Sequence, residues 1–441
     1  MWADKDKKVV VIGLGYIGLP TAALIADAGA QVIGVDIRED HVRRVNAGQV
    51  PAHEADLAAL VRTSIASGRL IARTGPEAAD IFLIAVPTPL GPDKGADLSH
   101  LWAAARSMTP FLRPGSLVLL ESTCPVGTTE QLRDFWARAR PDLRFPAPGA
   151  TEPSDVAIAY CPERVLPGRI LAELVENDRC IGGLTPVCAE QARAFYRRFV
   201  KGNCLTTEAR IAEMVKLAEN SFRDVNIAFA NELSLVAEQL DVDVWDVIRL
   251  ANRHPRVDIL RPGPGVGGHC IAVDPLFLIE TAPNQTPLMR QARQVNIGKT
   301  AHVAAKAAEL IHAAGPTARA VLLGLSFKPD VDDLRESPAL NIACKLANHF
   351  GPQVQLVEPH IDALPQELEQ SGASFTTLDI GLRESDVVIV LVGHRAFRRI
   401  PFAALKGKQV YDVCGLWSAP IGQTASMPVA HAVGHSATIT K

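Results

Sequence analysis

The first half of the chain alternates short apolar runs with longer segments of helical composition. The apolar runs span residues 8–12, 31–35, 81–86 and 116–120. An uninterrupted run of this length is typical of a strand that is buried on both faces of a parallel sheet. Since strands that alternate with helices form right-handed βαβ units, the pattern predicts an N-terminal Rossmann domain over residues 1–205.

The middle of the chain follows a different pattern. Residues 208 to about 252 form one stretch rich in Ala, Leu and Glu, without Gly or Pro and with apolar positions at helical spacing. This predicts a long helix, and a second helical stretch follows at 287–314 after a Gly/Pro-rich loop. Because helices of this length often join domains or form oligomer interfaces, we expect residues 206–314 to be a central helical domain that forms a homodimer through the long helix.

Apolar runs separated by helical segments return at 320–323, 354–358 and 386–392. They predict a C-terminal Rossmann-like domain over residues 315–417. The predicted fold class is therefore α/β, with two Rossmann-like doubly wound domains joined by a central helical domain with a long helix. Residues 418–441 lack periodicity, and we expect them to form a mobile tail.

Composition limits the classes of partner. Hydrophobic residues make up 48% of the 441 residues, charged residues 21%, and the net charge is −3. This balance gives no overall field that would attract nucleic acid or an anionic membrane. No apolar run reaches the ~18 residues that a bilayer span needs, and the charged start lacks the apolar core of a signal peptide. We expect a cytoplasmic protein without nucleic-acid or membrane partners.

A glycine motif follows the first predicted strand and opens a helix, and an acidic residue ends the next strand. The motif runs from Gly13 through Gly15 to Gly18, with Tyr16 and Ile17 between the last two glycines, and the acidic residue is Asp36. This context is typical of a dinucleotide site, in which the carboxylate binds ribose hydroxyls and favours NAD over NADP. Two further residues at predicted strand ends, Thr88 and Thr123, are expected cofactor neighbours.

Three other segments carry candidate chemistry. The first contains Glu163, and the second places Lys216, Asn220 and Arg223 at i, i+4 and i+7 on one helical face. The third is a glycine-rich loop that ends in Cys270, followed four residues later by Asp274. The eight cysteines show no spacing typical of zinc, so no metal site is predicted and the other seven are expected to be ordinary buried thiols.

These segments read AYCPERVLPG, ENSFRDVNIAFANELS, LANRHPRV, PGPGVGGHCIAVDP and FKPDVDDLRESPA, and together with GLGYIGLPTAA they resemble the nucleotide-sugar 6-dehydrogenases of the UDP-glucose/GDP-mannose dehydrogenase family. The resemblance is nearly full-length and fades after residue 417. It implies an NAD-dependent, four-electron oxidation of a UDP-sugar C6 alcohol to a carboxylate, with two NAD consumed per sugar. A thiolate suits the covalent retention of the aldehyde as a thiohemiacetal and then a thioester.

The resemblance also implies roles for individual residues. The catalytic set is Cys270, Lys216, Asn220, Glu163, Asp274 and Thr123. Arg335 joins the glycine motif, Asp36, Thr88 and Thr123 as a cofactor-binding residue. The substrate-binding set is Arg164, Val165, Lys216, Asn220, Arg223, His254, Arg256, Gly267 and Lys328. The plainer alternatives are a solvated helix face for Lys216 and Arg223, a helix cap for Glu163, and an exposed charged loop for Lys328 and Arg335; His269 stays open between a loop-ordering group and a proton shuttle.

The substrate is predicted from two segments and one departure. AYCPERVLPG and LANRHPRV are most similar to family members that act on UDP-N-acetyl-D-mannosamine, and Pro167 stands where UDP-glucose enzymes carry a second glutamate. UDP-N-acetylglucosamine and GDP-mannose remain alternatives, as does a catalytically idle NAD-binding scaffold or regulatory protein. Cys414 stands where relatives tend to carry Arg or Lys, which leaves one phosphate or cross-subunit contact in doubt.

Overall fold

The computed structural model describes residues 7–49, 55–92, 95–147, 153–165, 169–417 and 430–431. The chain divides into two units, residues 1–219 with 276–281 and residues 220–275 with 282–441. Two helices cross this division, α8 (Ala209–Gln239) after Glu219 and α10 (Asp274–Thr281) after Pro275.

The first unit is built on an eight-stranded sheet. Its strands are β1 Lys8–Ile12, β2 Gln31–Val35, β3 Leu70–Arg73, β4 Ile81–Ile84, β5 Ser116–Leu120, β6 Val156–Tyr160, β7 Arg179–Gly183 and β8 Cys204–Glu208. They lie in the order β3-β2-β1-β4-β5-β6-β7-β8, and among these described strands the one antiparallel pairing is between β6 and β7. The central register sets Val10 of β1 against Ile33 of β2 and Phe82 of β4.

Helices cover both faces of this sheet. They are α1 Gly18–Asp27, α2 Glu39–Asn46, α3 Ala55–Ala66, α4 Ser99–Met108, α5 Thr128–Ala139, α6 Ile170–Glu176 and α7 Pro186–Tyr196. Alternate residues of a strand point to opposite faces, so Val9 and Val11 of β1 join the core under α1 while Val10 joins the core under α4 and α5. This explains why β1 is an unbroken apolar run.

The second unit repeats the arrangement with six strands. They are β9 Ala320–Leu323, β10 Val354–Val357, β11 Ser374–Phe375, β12 Val387–Val390, β13 Gln409–Asp412 and β14 Ala430–His431, in the order β11-β10-β9-β12-β13-β14. Helices α12 (Pro338–Phe350) and α13 (Leu378–Glu384) pack on opposite faces. Of the expected tail from Ser418, the structure describes only Ala430 and His431, which pair with β13; the rest lies outside the described residues.

The helical stretch expected from 208 to about 252 is interrupted. α8 ends at Gln239 and α9 covers Val244–Ala251. Asp241 adopts a left-handed φ of 56°, and the Asp243 carboxylate accepts a hydrogen bond from Trp245 N at 2.8 Å as the N-cap of α9. The sequence prediction of one continuous helix was wrong here because aspartates can end and cap helices without Gly or Pro. The second long helix, α11, covers Pro287–Ala314 as predicted.

The predicted fold class is confirmed: two sheets of mainly parallel strands, each covered by helices, with a long-helix region between them in the chain. The sequence analysis predicted no strand at β3, β7, β8, β11, β13 or β14. In β3 buried and exposed side chains alternate, and most side chains of β8 are at least partly exposed, so neither strand forms a fully buried apolar run. In the described part of the chain, no helix has both the length and the apolar character that a membrane span requires.

Candidate active site

The glycine loop between β1 and α1 has the geometry of a phosphate cradle. Gly13 has a left-handed φ of 96°, and a Cβ added there would lie 2.3 Å from Ala85 O. A Cβ added to Gly18 would lie 1.8 Å from Gly13 O, so both positions require glycine. A Cβ on Gly15, by contrast, would meet no atom within 4 Å. This open space lies next to the start of α1 at Gly18, where helix amides favour an anion.

Asp36 follows β2 and is fixed by its surroundings. Its Oδ2 accepts a hydrogen bond from Leu14 N at 3.4 Å, and its Oδ1 accepts one from Arg38 N at 3.0 Å. At the ends of β4 and β5, the Thr88 hydroxyl donates to Thr123 O at 2.7 Å, which joins two predicted cofactor neighbours. A bound dinucleotide needs open space at a glycine, the start of a helix and a fixed carboxylate after the next strand. These residues provide all three, so they fit NAD.

Lys216, which is buried, and Glu163, which is half-buried, form a pair in the first unit. The Lys216 side chain is 6% exposed, and its ammonium donates to Glu163 O at 2.8 Å and lies 3.4 Å from Glu163 Oε1. The other carboxylate oxygen of Glu163 accepts a hydrogen bond from Val165 N at 2.8 Å. The helix α8 carries the cation and the loop after β6 supplies the carboxylate, so the acid–base pair is formed by two separate elements of the first unit.

Arg164 is also held within the first unit. It donates to Glu219 Oε1 at 2.6 Å and to the backbone carbonyl of Asp178. Glu219 was missed in the sequence because its partner lies 55 residues away and no local pattern links them.

Glu213 is a second residue that the sequence reasoning missed. It is fully buried on α8, and its carboxylate accepts hydrogen bonds from Gly127 N at 2.6 Å, Thr129 N at 2.8 Å and the Thr129 hydroxyl at 2.6 Å. Burial raises the pKa of Glu213, and these three donors oppose that shift. The carboxylate thus caps the start of α5 from another helix. Its position three residues before Lys216, on the same helical face, was the available clue.

The glycine-rich loop of the second unit presents Cys270 at the surface. Gly268 has a φ of 78°, and a Cβ on Gly267 would lie 2.4 Å from Glu336 O, so the loop packs closely on the segment before α12. Cys270 is exposed, whereas the other seven cysteines are buried or half-buried. None of the eight, all of which lie within the described ranges, forms a disulfide.

Asp274 and Asn220 meet beside the Cys270 turn. Asp274 N donates to Cys270 O at 2.8 Å, and Asn220 Nδ2 donates to Asp274 Oδ2 at 2.6 Å. Asp274 is 2% exposed. The Cys270 turn is therefore tied through one carboxylate to an amide on α8.

Arg335 lies on the segment that packs against this loop. Its guanidinium donates to Asp333 Oδ1 at 2.9 Å and Oδ2 at 2.7 Å, and its carbonyl accepts a hydrogen bond from Gly268 N at 3.3 Å. The hydrogen bonds that Arg335 donates to Asp333 raise the pKa of Arg335, and Cys270 acts in the same direction. Desolvation lowers the pKa of the neighbouring His269, with the Arg335 cation as the next cause.

The remaining predicted substrate residues are less tightly held. Arg223, His254 and Arg256 are exposed, with Arg256 N donating to His254 Nδ1 at 3.3 Å. Lys328 is half-buried, with its ammonium 5.7 Å from the Phe327 ring centroid. Pro167, used to argue against UDP-glucose, lies outside the described residues.

Cys414, the departure near the C-terminus, does not face solvent as a cation would. Its thiol donates to Leu391 O at 3.1 Å, and burial raises its pKa. The carbonyl of Cys414 accepts a hydrogen bond from Arg261 at 3.1 Å, and Arg261 lies over the Trp245 ring at 4.9 Å. A guanidinium from another segment is therefore present beside this backbone.

Three domain models of the UDP-glucose/GDP-mannose dehydrogenase family match the chain: the NAD binding domain over residues 7–200, the central domain over 210–297 and the UDP binding domain over 321–419. An NDP-N-acetyl-D-galactosaminuronic acid dehydrogenase of Ralstonia nicotianae is 50% identical over 413 residues, which cover 94% of this chain and 97% of that relative. A UDP-N-acetyl-D-mannosamine dehydrogenase of Salmonella typhi is 50% identical over 416 residues, covering 93% of this chain and 99% of the relative. The solved UDP-D-ManNAc dehydrogenase of Pyrococcus horikoshii superposes with a TM-score of 0.85 at 35% identity, covering 97% of this chain and 99% of that chain.

Proposed function

The chain belongs to the UDP-glucose/GDP-mannose dehydrogenase family, and on that premise we propose that it oxidises the C6 alcohol of UDP-N-acetyl-D-mannosamine to the carboxylate with two NAD. The observation that carries this substrate proposal is its near-full-length likeness to UDP-N-acetyl-D-mannosamine dehydrogenases in both sequence and structure. The product would be UDP-N-acetyl-D-mannosaminuronate, a precursor for polysaccharide biosynthesis.

The glycine loop and Asp36 would hold the cofactor. NAD, when bound, accepts a hydride in each of the two oxidations. Gly15 leaves room for the pyrophosphate, the start of α1 presents amides to it, and Asp36 binds the adenosine ribose. Thr88 and Thr123, joined by a hydrogen bond of 2.7 Å, are further proposed cofactor-binding residues of the first unit, and Arg335 is the one proposed from the second unit.

Lys216 and Glu163 are proposed to carry the proton transfers. An ammonium already paired with a carboxylate can stabilise the alkoxide that forms as the C6 alcohol loses its proton. Glu163 takes the proton of the water that hydrolyses the acyl intermediate. The burial of Lys216 and the partial burial of Glu163 strengthen these interactions because the surrounding dielectric is lower than that of water.

Cys270 is proposed as the covalent residue. Its thiolate adds to the aldehyde carbon to form a thiohemiacetal, and after the second two-electron oxidation the acyl group stays on the sulfur as a thioester. Water then adds to the thioester carbon, the carbon–sulfur bond breaks and the acid leaves. Asn220 and Asp274 fix the turn that presents the thiol and provide donor and acceptor groups for the oxyanion and water.

The UDP-sugar would be bound by cations of several segments. We assign the diphosphate to Lys328 and the sugar and diphosphate surroundings to Arg164, Val165, Arg223, His254, Arg256 and Gly267. Cations from several segments suit a diphosphate because the negative charge is spread over two phosphates.

A homodimer through α8 is part of the proposal. Three apolar side chains of the second unit recur every seven residues on this helix and are exposed: Phe222 at 67%, Phe229 at 55% and Val236 at 46%. A seven-residue apolar repeat is the pattern by which a helix packs against a partner helix. A second copy of the chain would bury these side chains.

Eight cysteines without a disulfide support a cytoplasmic location.

A second candidate substrate is favoured by one comparison. The relative from Ralstonia nicotianae, named for NDP-N-acetyl-D-galactosaminuronic acid, is as similar in sequence as the mannosamine enzyme. The TM-score of 0.85 with the Pyrococcus horikoshii UDP-D-ManNAc dehydrogenase is our reason to rank mannosamine first.

The test is a substrate panel with NAD, made of UDP-N-acetylmannosamine, UDP-N-acetylgalactosamine, UDP-N-acetylglucosamine, UDP-glucose and GDP-mannose. NADH formation with the highest kcat/KM for UDP-N-acetylmannosamine supports the proposal. Preference for another sugar would replace only the substrate, and no NADH from any sugar would point to a catalytically idle NAD-binding scaffold. Cys270→Ser should lose steady turnover while UDP binding stays within about twofold of the parent, and Cys344→Ser is the matched control with full turnover.

A further inference from the structure

The second sheet repeats a detail of the first at the carboxyl end of its strands. Glu358 follows β10 as Asp36 follows β2, and each accepts an amide of the loop after the neighbouring strand. Leu14 N donates to Asp36 Oδ2 at 3.4 Å, and Leu325 N donates to Glu358 Oε2 at 2.8 Å. The two carboxylates differ in exposure, because the Glu358 side chain is fully buried while that of Asp36 is 11% exposed. In the second unit, therefore, the carboxylate binds groups inside the protein and is closed to solvent.

His394, which follows β12, is the partner of Glu358. Its side chain is also fully buried, and its Nε2 lies 3.0 Å from Glu358 Oε2. The other ring nitrogen, Nδ1, accepts a hydrogen bond from Asp330 N at 2.9 Å. Because a backbone N–H can only donate, the proton of the neutral ring lies on Nε2 and is donated to Glu358. Both ring nitrogens of His394 thus have hydrogen-bond partners inside the protein. If Asp330, His360 and His394 were to bind a metal ion together, His394 would have to give up one of these hydrogen bonds.

The Glu358–His394 pair holds both ends of the segment 326–330. At one end, Glu358 Oε2 accepts Ser326 N at 3.1 Å, and the Ser326 hydroxyl, 3.4 Å from His394 Nε2, donates to Lys328 O at 2.8 Å. At the other end, His394 accepts the N–H of Asp330, which has a left-handed φ of 61°. A non-glycine residue in this region is strained, and the conformation persists only where the surrounding structure fixes it.

Arg395, next to His394, completes the frame. Its N donates to Asp330 Oδ1 at 3.0 Å and its Nε to Asp330 Oδ2 at 2.8 Å. Lys328 stands in the middle of the held segment, so its backbone is fixed on both sides while the residue as a whole is half-buried.

We propose that the buried Glu358–His394 pair is a positioning pair that sets the backbone of Lys328 so that its ammonium meets the diphosphate of the nucleotide sugar. The inference rests on the proposed function, which assigns Lys328 to the diphosphate. A lysine side chain loses considerable rotamer freedom on binding a phosphate, and a mobile backbone would add to that loss. Fixing the segment before the ligand arrives lowers this cost.

The experiment measures UDP binding to the full-length protein by titration calorimetry, without turnover. His394→Ala should weaken UDP binding about tenfold, and the loss in kcat/KM for the nucleotide sugar should fall mainly on KM. His394→Asn keeps an acceptor near Asp330 N and His394→Gln keeps a donor near Glu358, so each should recover part of the loss. His360→Ala removes the neighbouring ring, 5.0 Å away, whose Nε2 lies 3.7 Å from Asp330 Oδ1 but which accepts no backbone amide of the segment; it is the matched control, with UDP binding within about twofold of the parent.

A double-mutant cycle separates positioning from a general loss of stability. Lys328→Gln alone should weaken UDP binding, and adding His394→Ala should weaken it little further, because the positioned ammonium is already gone. NAD binding should stay within about twofold of the parent in every variant. Full additivity of the two substitutions, unchanged UDP binding in His394→Ala, or unchanged binding in Lys328→Gln would each overturn the proposal. If His394→Ala does not fold, the double-mutant cycle is measured with His394→Asn and His394→Gln instead. Failure of the proposed oxidation would appear separately as absence of NADH.

Discussion

Lys299 on α11 offers a prediction with a magnitude that follows directly from the structure. Its side chain is 1% exposed, and its ammonium donates to the Ser234 hydroxyl on α8 at 2.6 Å. Burial lowers its pKa from 10.5 to about 8, with Glu238 acting in the opposite direction. The folded state therefore binds this proton more weakly than the unfolded chain does. Below pH 8 the charged lysine lowers the free energy of unfolding by its full amount, and this destabilisation disappears as the pH rises towards 10.5.

The difference between these pKa values corresponds to about 3 kcal/mol at pH 7 and about 1.5 kcal/mol at pH 9.5. Lys299→Met removes the charge, and the Ser234 hydroxyl still donates to Asn231 O at 2.6 Å. Glu238 keeps His302 at 2.8 Å and Lys306 at 3.6 Å. After subtracting about 1 kcal/mol for the lost hydrogen bond, we expect the variant to be more stable than the parent by about 2 kcal/mol at pH 7.

The assay is urea unfolding at pH 7 and pH 9.5, with hydrogen exchange of α11 peptides as the probe of the second unit. The advantage of Lys299→Met should shrink to about 0.5 kcal/mol at pH 9.5. Lys306→Met, on the same helix with a side chain that is 23% exposed, is the control and should show no such change between the two pH values. A variant less stable than the parent at pH 7, by an amount that stays constant to pH 9.5, would show that burial does not disfavour this charge.

Three further substitutions have clear expectations. Gly18→Ala places a Cβ 1.8 Å from Gly13 O and should abolish NAD binding in a fluorescence titration, whereas Gly29→Ala, with nothing within 4 Å, should retain it despite strain from its φ of 101°. Glu213→Ala leaves two amides at the start of α5 without their acceptor and should cost about 2–4 kcal/mol in urea unfolding; an effect below 1 kcal/mol would remove its role as a cap. Phe229→Lys introduces a charge into the exposed apolar repeat of α8 and should convert a dimer into a monomer in light scattering; an unchanged mass would exclude this face as the interface.

The sequence predicted those elements whose pattern is local and strong. Strands β1, β2 and β5 and helix α11 have the predicted bounds because they are unbroken apolar runs or regular helical repeats. The break at Asp241 was missed because it depends on a left-handed aspartate and the cap at Asp243, which a count of Gly and Pro cannot reveal. Pairing across long separations was equally hidden from sequence.

The candidate site shows the same limit. The glycine motif and its strand–helix context could be predicted, since every requirement is local. The pairing of Lys216 with Glu163 joins residues 53 positions apart, and that of Asp274 with Asn220 joins residues 54 positions apart. Both pairings depend on how distant segments fold together. Glu358 and His394 gave no motif at all, because their role is to bind backbone amides inside the second unit.

The most direct test of the proposed oxidation is the number of NADH molecules formed per UDP-N-acetylmannosamine consumed, measured by absorbance against the sugar lost in chromatography. A four-electron oxidation that retains the aldehyde on Cys270 predicts two NADH per sugar and a carboxylate product, with no aldehyde released to a trapping amine. One NADH per sugar with trapped aldehyde would contradict the account.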